Sequence, residues 1–414
     1  MVDITALTER ANAGELPVQL QLAGLYESGT GVPVDRGRAA YWYRLAAEQG
    51  DVKAQSRLGQ MYIRGVGVPR DHEAAVAWLQ KAAEQGNRAA QANLAWCYQE
   101  GMGTDKAIRK AIEWYEKAAV QGHAGASYNL GYLYANGIGI EQDVNEAVRW
   151  YAQAAQQGHK KAQHNLGIMY EEGTGSEQDY AAAVKWYTAA AAQGYSRSQY
   201  NLARMYTDGT GVDKDNQAAF KWYQQSARAG YYKGQFNLGL FYLHGLGTEQ
   251  DYQQAYTMFK ASAAQGYPKA FYQLGKMYAR GLGVHINEIE SAKNFQVSAE
   301  RGYAKAQFRL ARLYMDGQGV RKDASVACRW LEKSASQGLA QAQYDLGICY
   351  AKGTGVDQDL RTAYAWLTLF ADSGKRNITR LLRKLAQSMG EQETGEANKL
   401  ADQWRVQFTT TPVN

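Results

Sequence analysis

Glycine returns in this chain at a fixed interval of 36 residues, and that interval restricts the fold more than any other feature. Gly29, Gly65, Gly101 and onward to Gly353 form one series of ten without a single insertion. Each has a second glycine two residues later, from Gly31 to Gly355, and a third series closes every repeat, from Gly50 to Gly374. These slots hold 30 of the 43 glycines in 414 residues. With only 5 prolines and no glycine at every third position, collagen is excluded. At 45% hydrophobic and 12% aromatic residues the chain has ample material for a packed interior, so disorder is excluded as well. A length that would otherwise suggest two or three domains reads instead as an array.

Other residues keep the same period. Leucine recurs from Leu22 to Leu346 and tyrosine from Tyr26 to Tyr350, while the slot from Ala47 to Ala371 is alanine throughout. Tryptophan occupies eight of ten repeats: Trp42, Trp78, Trp114, Trp150, Trp186, Trp222, Trp330 and Trp366. Within one repeat, Ala54, Leu58, Met61 and Tyr62 follow the i, i+4, i+7, i+8 spacing of one helix face. A second such stripe runs through Ala75, Trp78, Leu79, Ala82 and Ala83. Gly65 and Gly67 break the first helix at positive φ, and Asp71 supplies an N-cap for the second. The small residue after each leucine lets paired backbones approach. Each repeat is therefore a helical hairpin, and stacked neighbours supply the core that one hairpin lacks. Burying an indole removes roughly 150–250 Å² from water, worth about 4–6 kcal/mol before entropy costs, so the tryptophans read as structural.

The fold class expected is all-α, an α/α superhelical solenoid of ten 36-residue hairpins with capping helices at both ends. Residues 1–15 read as an N-terminal half-repeat cap, 16–375 as the ten repeats, 376–408 as C-terminal capping helices and 409–414 as a tail. In the last cap Ala397, Leu400, Ala401 and Trp404 make the apolar stripe. Met258, Asn287 and Asn294 depart from the pattern in repeats 7 and 8, which suggests a looser joint or a contact for a second subunit.

The glycine-rich loop and the Trp-Tyr pair of this motif resemble the Sel1-like repeat, a relative of the tetratricopeptide repeat, and the likeness spans residues 16–375. That resemblance implies a right-handed superhelix whose first helices line a concave surface. It also implies an adaptor that assembles other proteins, in many cases bacterial and linked to host interaction or stress signalling.

On the side of the first helix away from Leu58, a helical wheel places Lys53, Ser56, Arg57, Gln60, Ile63 and Arg64. The slot of Arg57 holds Asn93, Asn129, Asn165, Asn201 and Asn237 in five consecutive repeats. A carboxamide carries donor and acceptor together and matches both backbone groups of an extended peptide, similar to the asparagine ladder of tetratricopeptide superhelices. First helices about 8–10 Å apart suit three extended residues per rung. The alternative is that these amides bond to neighbouring hairpins. The preceding slot is mostly aromatic, with Tyr128, Tyr200, Phe236, Tyr272, Phe308 and Tyr344, and Trp96 and Tyr132 lie one turn on. Such rings anchor an interface or pack between repeats. Arg204, Arg280 and Arg312 add positive charge toward repeats 6–9, which suits the acidic portion of an extended ligand.

Catalytic and cofactor motifs are not found. No serine has lysine three residues on, and His72-Glu73 is followed by Val76 where a zinc-binding helix needs histidine. His123 and His159 share a slot, but two histidines do not complete a metal site. The G-x-G loops lack the third glycine and preceding strand of a nucleotide-binding turn. The reading is a non-enzymatic adaptor without cofactor or metal, binding an extended or helical segment of a partner protein. A structural subunit that holds a folded domain or its own copy is the first alternative. RNA binding is the second, and the run of identical asparagines argues against it, because a base code needs varied side chains. Net charge is +6, too diffuse to argue for nucleic acid, and no apolar run approaches 18 residues. Three cysteines without metal spacing read as buried thiols in a reducing compartment, and Met1 to Gly14 lacks the apolar core of a signal peptide. The cytoplasm is the expected location, although a trimmed secreted or periplasmic protein would read the same.

Overall fold

A computed structural model describes residues 3–374 and 378–409. Among them are 23 α-helices and no strand. After α1 (Ile4–Asn12) the chain alternates first and second helices of ten hairpins. The first helices are α2 (Leu16–Ser28), α4 (Val52–Arg64), α6 (Arg88–Glu100), α8 (Ala124–Asn136), α10 (Lys160–Glu172), α12 (Ser196–Asp208), α14 (Tyr232–His244), α16 (Pro268–Arg280), α18 (Ala304–Asp316) and α20 (Ala340–Lys352). The second helices are α3 (Arg36–Glu48), α5 (His72–Glu84), α7 (Ile108–Val120), α9 (Val144–Gln156), α11 (Tyr180–Ala192), α13 (Asn216–Arg228), α15 (Tyr252–Ala264), α17 (Glu288–Glu300), α19 (Ala324–Ala335) and α21 (Leu360–Asp372). Two further helices, α22 (Thr379–Met389) and α23 (Glu391–Thr409), follow. The expected tail lies outside the described residues from position 410 onward. No helix among the described residues is long and apolar enough to cross a membrane.

The boundaries follow from the periodic residues. Gly65 ends α4 in the left-handed region at φ 65°, and Gly67 repeats that conformation at φ 75°. Gly67 also meets the backbone carbonyl of Arg36 in the preceding second helix so closely that a Cβ has no room. Conformation and close approach therefore both demand glycine there. Asp71 then caps α5, its carboxylate accepting from the Ala74 N–H at 2.9 Å, while its own N–H donates to the Tyr62 carbonyl at 3.1 Å. Where the cap departs from Asp the helix still starts in register. Asn287 accepts from the Glu290 N–H at 3.0 Å, and Asn294 donates to the Glu290 carbonyl at 2.8 Å.

The chain forms two compact units, Met1–Ser198 with Gly209–Asp213, and Gln199–Asp208 with Lys214–Asn414. In the first, Leu22, Leu58, Leu94, Leu130 and Leu166 are buried between successive hairpins with Ala47, Ala83, Ala119 and Ala155. In the second, Leu238, Leu274, Leu310 and Leu346 do the same with Phe259, Phe295 and Leu331. The small residue after the leucine sets the hairpin spacing: a Cβ on Gly131 would stand 2.7 Å from the Tyr151 ring, and one on Gly59 2.7 Å from Leu79. Trp42, Trp150 and Trp366 are buried, whereas Trp78, Trp114 and Trp330 are half-buried beneath Lys81, Lys117 and Lys333 at 4.4, 4.1 and 4.4 Å from the ring centroid. At the C-terminal end Trp404 of α23 stacks on Trp366, with centroids 4.3 Å apart, and Ala397 and Ala401 are buried.

Candidate protein-binding face of the first helices

On α4 the buried side is Ala54, Gln55, Leu58 and Met61, and the open side is Lys53, Arg57, Gln60 and Arg64. Ser56, expected on the open side, is buried. Its position on the wheel points sideways, toward the next hairpin rather than to solvent. The aromatic residues of its slot do the same. Tyr128 stacks on His159 with centroids 4.6 Å apart and leans on Tyr151. Tyr200 meets Tyr223 and Tyr231, Phe236 meets Phe259 and Tyr267, and Tyr272 meets Phe295 and Tyr303, at 5.1–6.0 Å. Tyr344 packs on Phe370 at 5.1 Å, and Phe308 lies half-buried against the core around Leu331 and Leu346. These rings stitch each first helix to the second helix of its hairpin and to the start of the next repeat.

The five asparagines are each half-exposed. Asn129 and Asn165 lie beside the hydroxyls of Tyr115 and Tyr151 in the preceding second helices, and Asn237 donates to the Lys233 carbonyl at 2.9 Å. One turn on, Trp96 is half-buried and Tyr132 is 43% exposed. Arg204 is half-buried, and Arg280 is exposed. Arg312 pairs with Asp345 at 3.4 Å, and burial pushes the Asp345 carboxyl up while Arg312 opposes it. Arg312 and Tyr344 come together in one cleft of about 560 Å³ that also reaches Met315, Ile348 and Cys349.

Two polar networks run alongside this face, and the sequence reading did not anticipate them. The first is built from glutamine. Buried Gln55, Gln91 and Gln163 each donate Nε2 to a carbonyl at the end of the previous second helix, Ala47, Ala83 and Ala155, at 3.1 Å. Each Oε1 then accepts from a glutamine 30 residues on, Gln85, Gln121 and Gln193, at 2.8 Å. Glutamine in this slot is thus a joint between three helices. A 36-residue recurrence of Gln55, Gln91, Gln163 and Gln199 was the available signal. In the second network a second-helix tyrosine reaches back through its hairpin: Tyr43 to Glu27 at 2.8 Å, Tyr115 to Gln99 at 3.1 Å and Tyr187 to Glu171 at 2.8 Å. Burial, then the Glu27 hydrogen bond, pushes Tyr43 up to about 12.

His123 and His159 cap α8 and α10, each Nδ1 accepting from the N–H three residues on at 3.1 and 3.3 Å. Accepting requires the neutral ring, and burial lowers both pKa values. Among the described residues no group of three or more His, Cys, Asp or Glu could hold a metal ion. Cys97, Cys328 and Cys349 are buried free thiols.

The Sel1 repeat model matches at residues 17–51, 52–87, 88–123, 124–159, 160–195, 196–231, 233–267, 268–303, 304–339 and 340–375. The chain belongs to the Sel1 repeat family. Its α-solenoid is similar to the crystal structure of c5321, a protective antigen of uropathogenic Escherichia coli strains. That match has 34% identity and a TM-score of 0.88, and covers 97% of this chain and 86% of the other. A Sel1 repeat protein from Oxalobacter formigenes matches with 32% identity and a TM-score of 0.58, over 75% of this chain and 90% of its own. No curated protein matches the chain. Sel1 repeat solenoids commonly mediate protein–protein interaction and are generally non-catalytic scaffolds.

Proposed function

We propose that this Sel1 repeat protein is a non-enzymatic adaptor that holds an extended or helical segment of a partner protein along its first helices. The observation that carries this reading is the pairing of Asn93 with Trp96 on α6 and of Asn129 with Tyr132 on α8. On each helix a half-exposed carboxamide stands one turn before an aromatic ring that keeps contact with water, and Tyr132 is 43% exposed. Amides serve the backbone of a bound segment, and rings that lose water on binding anchor it. Asn165, Asn201 and Asn237 continue the same slot.

The reading is tested by selecting displayed peptides on the immobilised full-length chain and measuring their affinity for wild type and for Trp96→Ala/Tyr132→Ala. Truncating both anchors should weaken binding by about 2 kcal/mol or more, roughly thirty-fold, at unchanged helicity. Selected peptides that bind the double variant with wild-type affinity refute the reading.

A further inference from the structure

From α14 to α18, within the second unit, charge is sorted by helix. The first helices α14, α16 and α18 carry Lys233, then Lys269, Lys276 and Arg280, then Lys305, Arg309 and Arg312, against one acid, Asp316. The interleaved second helices lean the other way, with Glu288, Glu290 and Glu300 against Lys260 and Lys293 on α15 and α17. Positions 269, 276 and 280 fall on one helix stripe, as do 305, 309 and 312, and that stripe is the open one. Net charge spread evenly along a solvated surface does not separate in this way.

Within this stripe the cations face one another. Lys276 is half-buried, and the charges around it are Arg280, Arg309 and Lys305, all positive, so burial first and then these neighbours hold its ammonium below its ordinary range. Its Nζ lies 5.8 Å from the Tyr272 ring. Arg312 has Asp345, but among the described residues Lys269, Lys276, Arg280, Lys305 and Arg309 have no carboxylate within ion-pair distance. A half-desolvated cation among like charges is a standing cost that a bound anion relieves.

We propose that the face made by α16 and α18 binds a segment of a partner protein rich in aspartate and glutamate. This rests on the adaptor reading and names the chemistry of one partner class. A polypeptide fits better than single-stranded nucleic acid, which needs rings free to stack on bases. Tyr272 is instead committed to Phe295 and Tyr303 at 5.5 and 5.3 Å. Adjacent first helices about 10 Å apart match one three-residue turn of a polyproline-II segment, in which every third side chain faces the same way, so carboxylates at every third position meet both rows.

The test is fluorescence anisotropy with the full chain and three probes: a twelve-residue peptide with glutamate at every third position, its glutamine counterpart, and an oligothymidylate of equal charge. The acidic peptide should bind at least about ten-fold more tightly than the glutamine peptide and lose affinity with salt. Lys276→Glu/Arg309→Glu should lower that affinity by about ten-fold or more. Lys276→Gln alone should lower it by less. Lys221→Glu/Lys260→Glu, at exposed positions of the second helices α13 and α15, should leave it unchanged, and circular dichroism should be the same for all variants. Equal binding of acidic and neutral peptides, indifference to Lys276→Glu/Arg309→Glu, or oligothymidylate binding as tight as the acidic peptide would each overturn the proposal. Any of these outcomes leaves the Trp96/Tyr132 experiment untouched, so failure here is distinct from failure of the adaptor reading.

Discussion

His164 shows how much one slot depends on its neighbours. It occupies the aromatic position of α10, buried between Tyr187 and Tyr195, with Nδ1 2.9 Å from the Ser198 hydroxyl. Burial, helped by Arg197, pushes its pKa down to about 4. The folded state therefore prefers the neutral ring, while an unfolded chain takes up a proton near 6.5. Between those values the unfolded state binds more protons, so stability rises with pH through the window and is lost as pH falls from about 6.5 toward 4. For this group alone the loss between pH 7 and pH 5 is about 2 kcal/mol. His123 and His159, also lowered by burial, push in the same direction. Urea unfolding followed at pH 7 and pH 5 should show a fall in stability that His164→Phe reduces, since Phe236 and Phe308 already occupy this slot in other repeats. A loss of equal size in the variant would remove His164 from the explanation.

At the scale of the helix, polar and apolar partners change together. Tyr115 reaches Gln99 across its hairpin and Tyr187 reaches Glu171, whereas the equivalent pairs in later repeats are Phe259 with Leu243 and Leu331 with Met315. A buried hydroxyl that keeps its acceptor is inexpensive, and one that loses it carries its full desolvation cost. Gln99→Leu alone should destabilise the protein by about 1–3 kcal/mol. Gln99→Leu/Tyr115→Phe, which copies the apolar pairing, should recover most of that, as read by a double-mutant cycle in chemical denaturation. Additive losses would mean that the two positions do not act as a pair. The hairpins themselves were legible in the sequence because glycine, leucine and alanine act through local geometry, which a 36-residue recurrence exposes directly. The amide joints were not, since recurrence alone does not say that Gln91 is buried or which carbonyl it meets. Structure makes the substitutions intelligible: Ser127 replaces the glutamine, and Gln153 donates to the vacant Ala119 carbonyl at 2.7 Å. Phe271 replaces another, and Arg301, in the partner slot, lies 4.9 Å from its ring. Likewise the wheel separated buried from open positions but left Tyr128 and Tyr272 undecided, because a sideways residue is claimed by whichever repeat stacks next.

Across the whole molecule, stability is distributed rather than centred. Within the first unit the principal helix contacts join chain neighbours, from α1 with α2 to α10 with α11, with α4 to α6 an addition, and within the second they run from α13 with α14 to α22 with α23, with α21 to α23 an addition. In such an array each interface contributes separately, and damage travels only as far as neighbouring interfaces carry it. Four repeats hold alanine in the close-packing slot, at Ala23, Ala95, Ala203 and Ala311, so one methyl group is accommodated there. Valine is a different case at Gly131, where a Cβ already stands 2.7 Å from the Tyr151 ring and two further methyls extend beyond it. Gly131→Val should therefore force α8 and α9 apart at a cost of about 1–3 kcal/mol or somewhat more. Native-state hydrogen exchange locates that cost. Amides of α7 to α10 should lose protection by roughly ten- to hundred-fold, while those of α2 and α3 in the same unit keep theirs. A uniform loss throughout the first unit would instead mean that its hairpins open as one cooperative block, and the near-neighbour description would have to be abandoned for that unit.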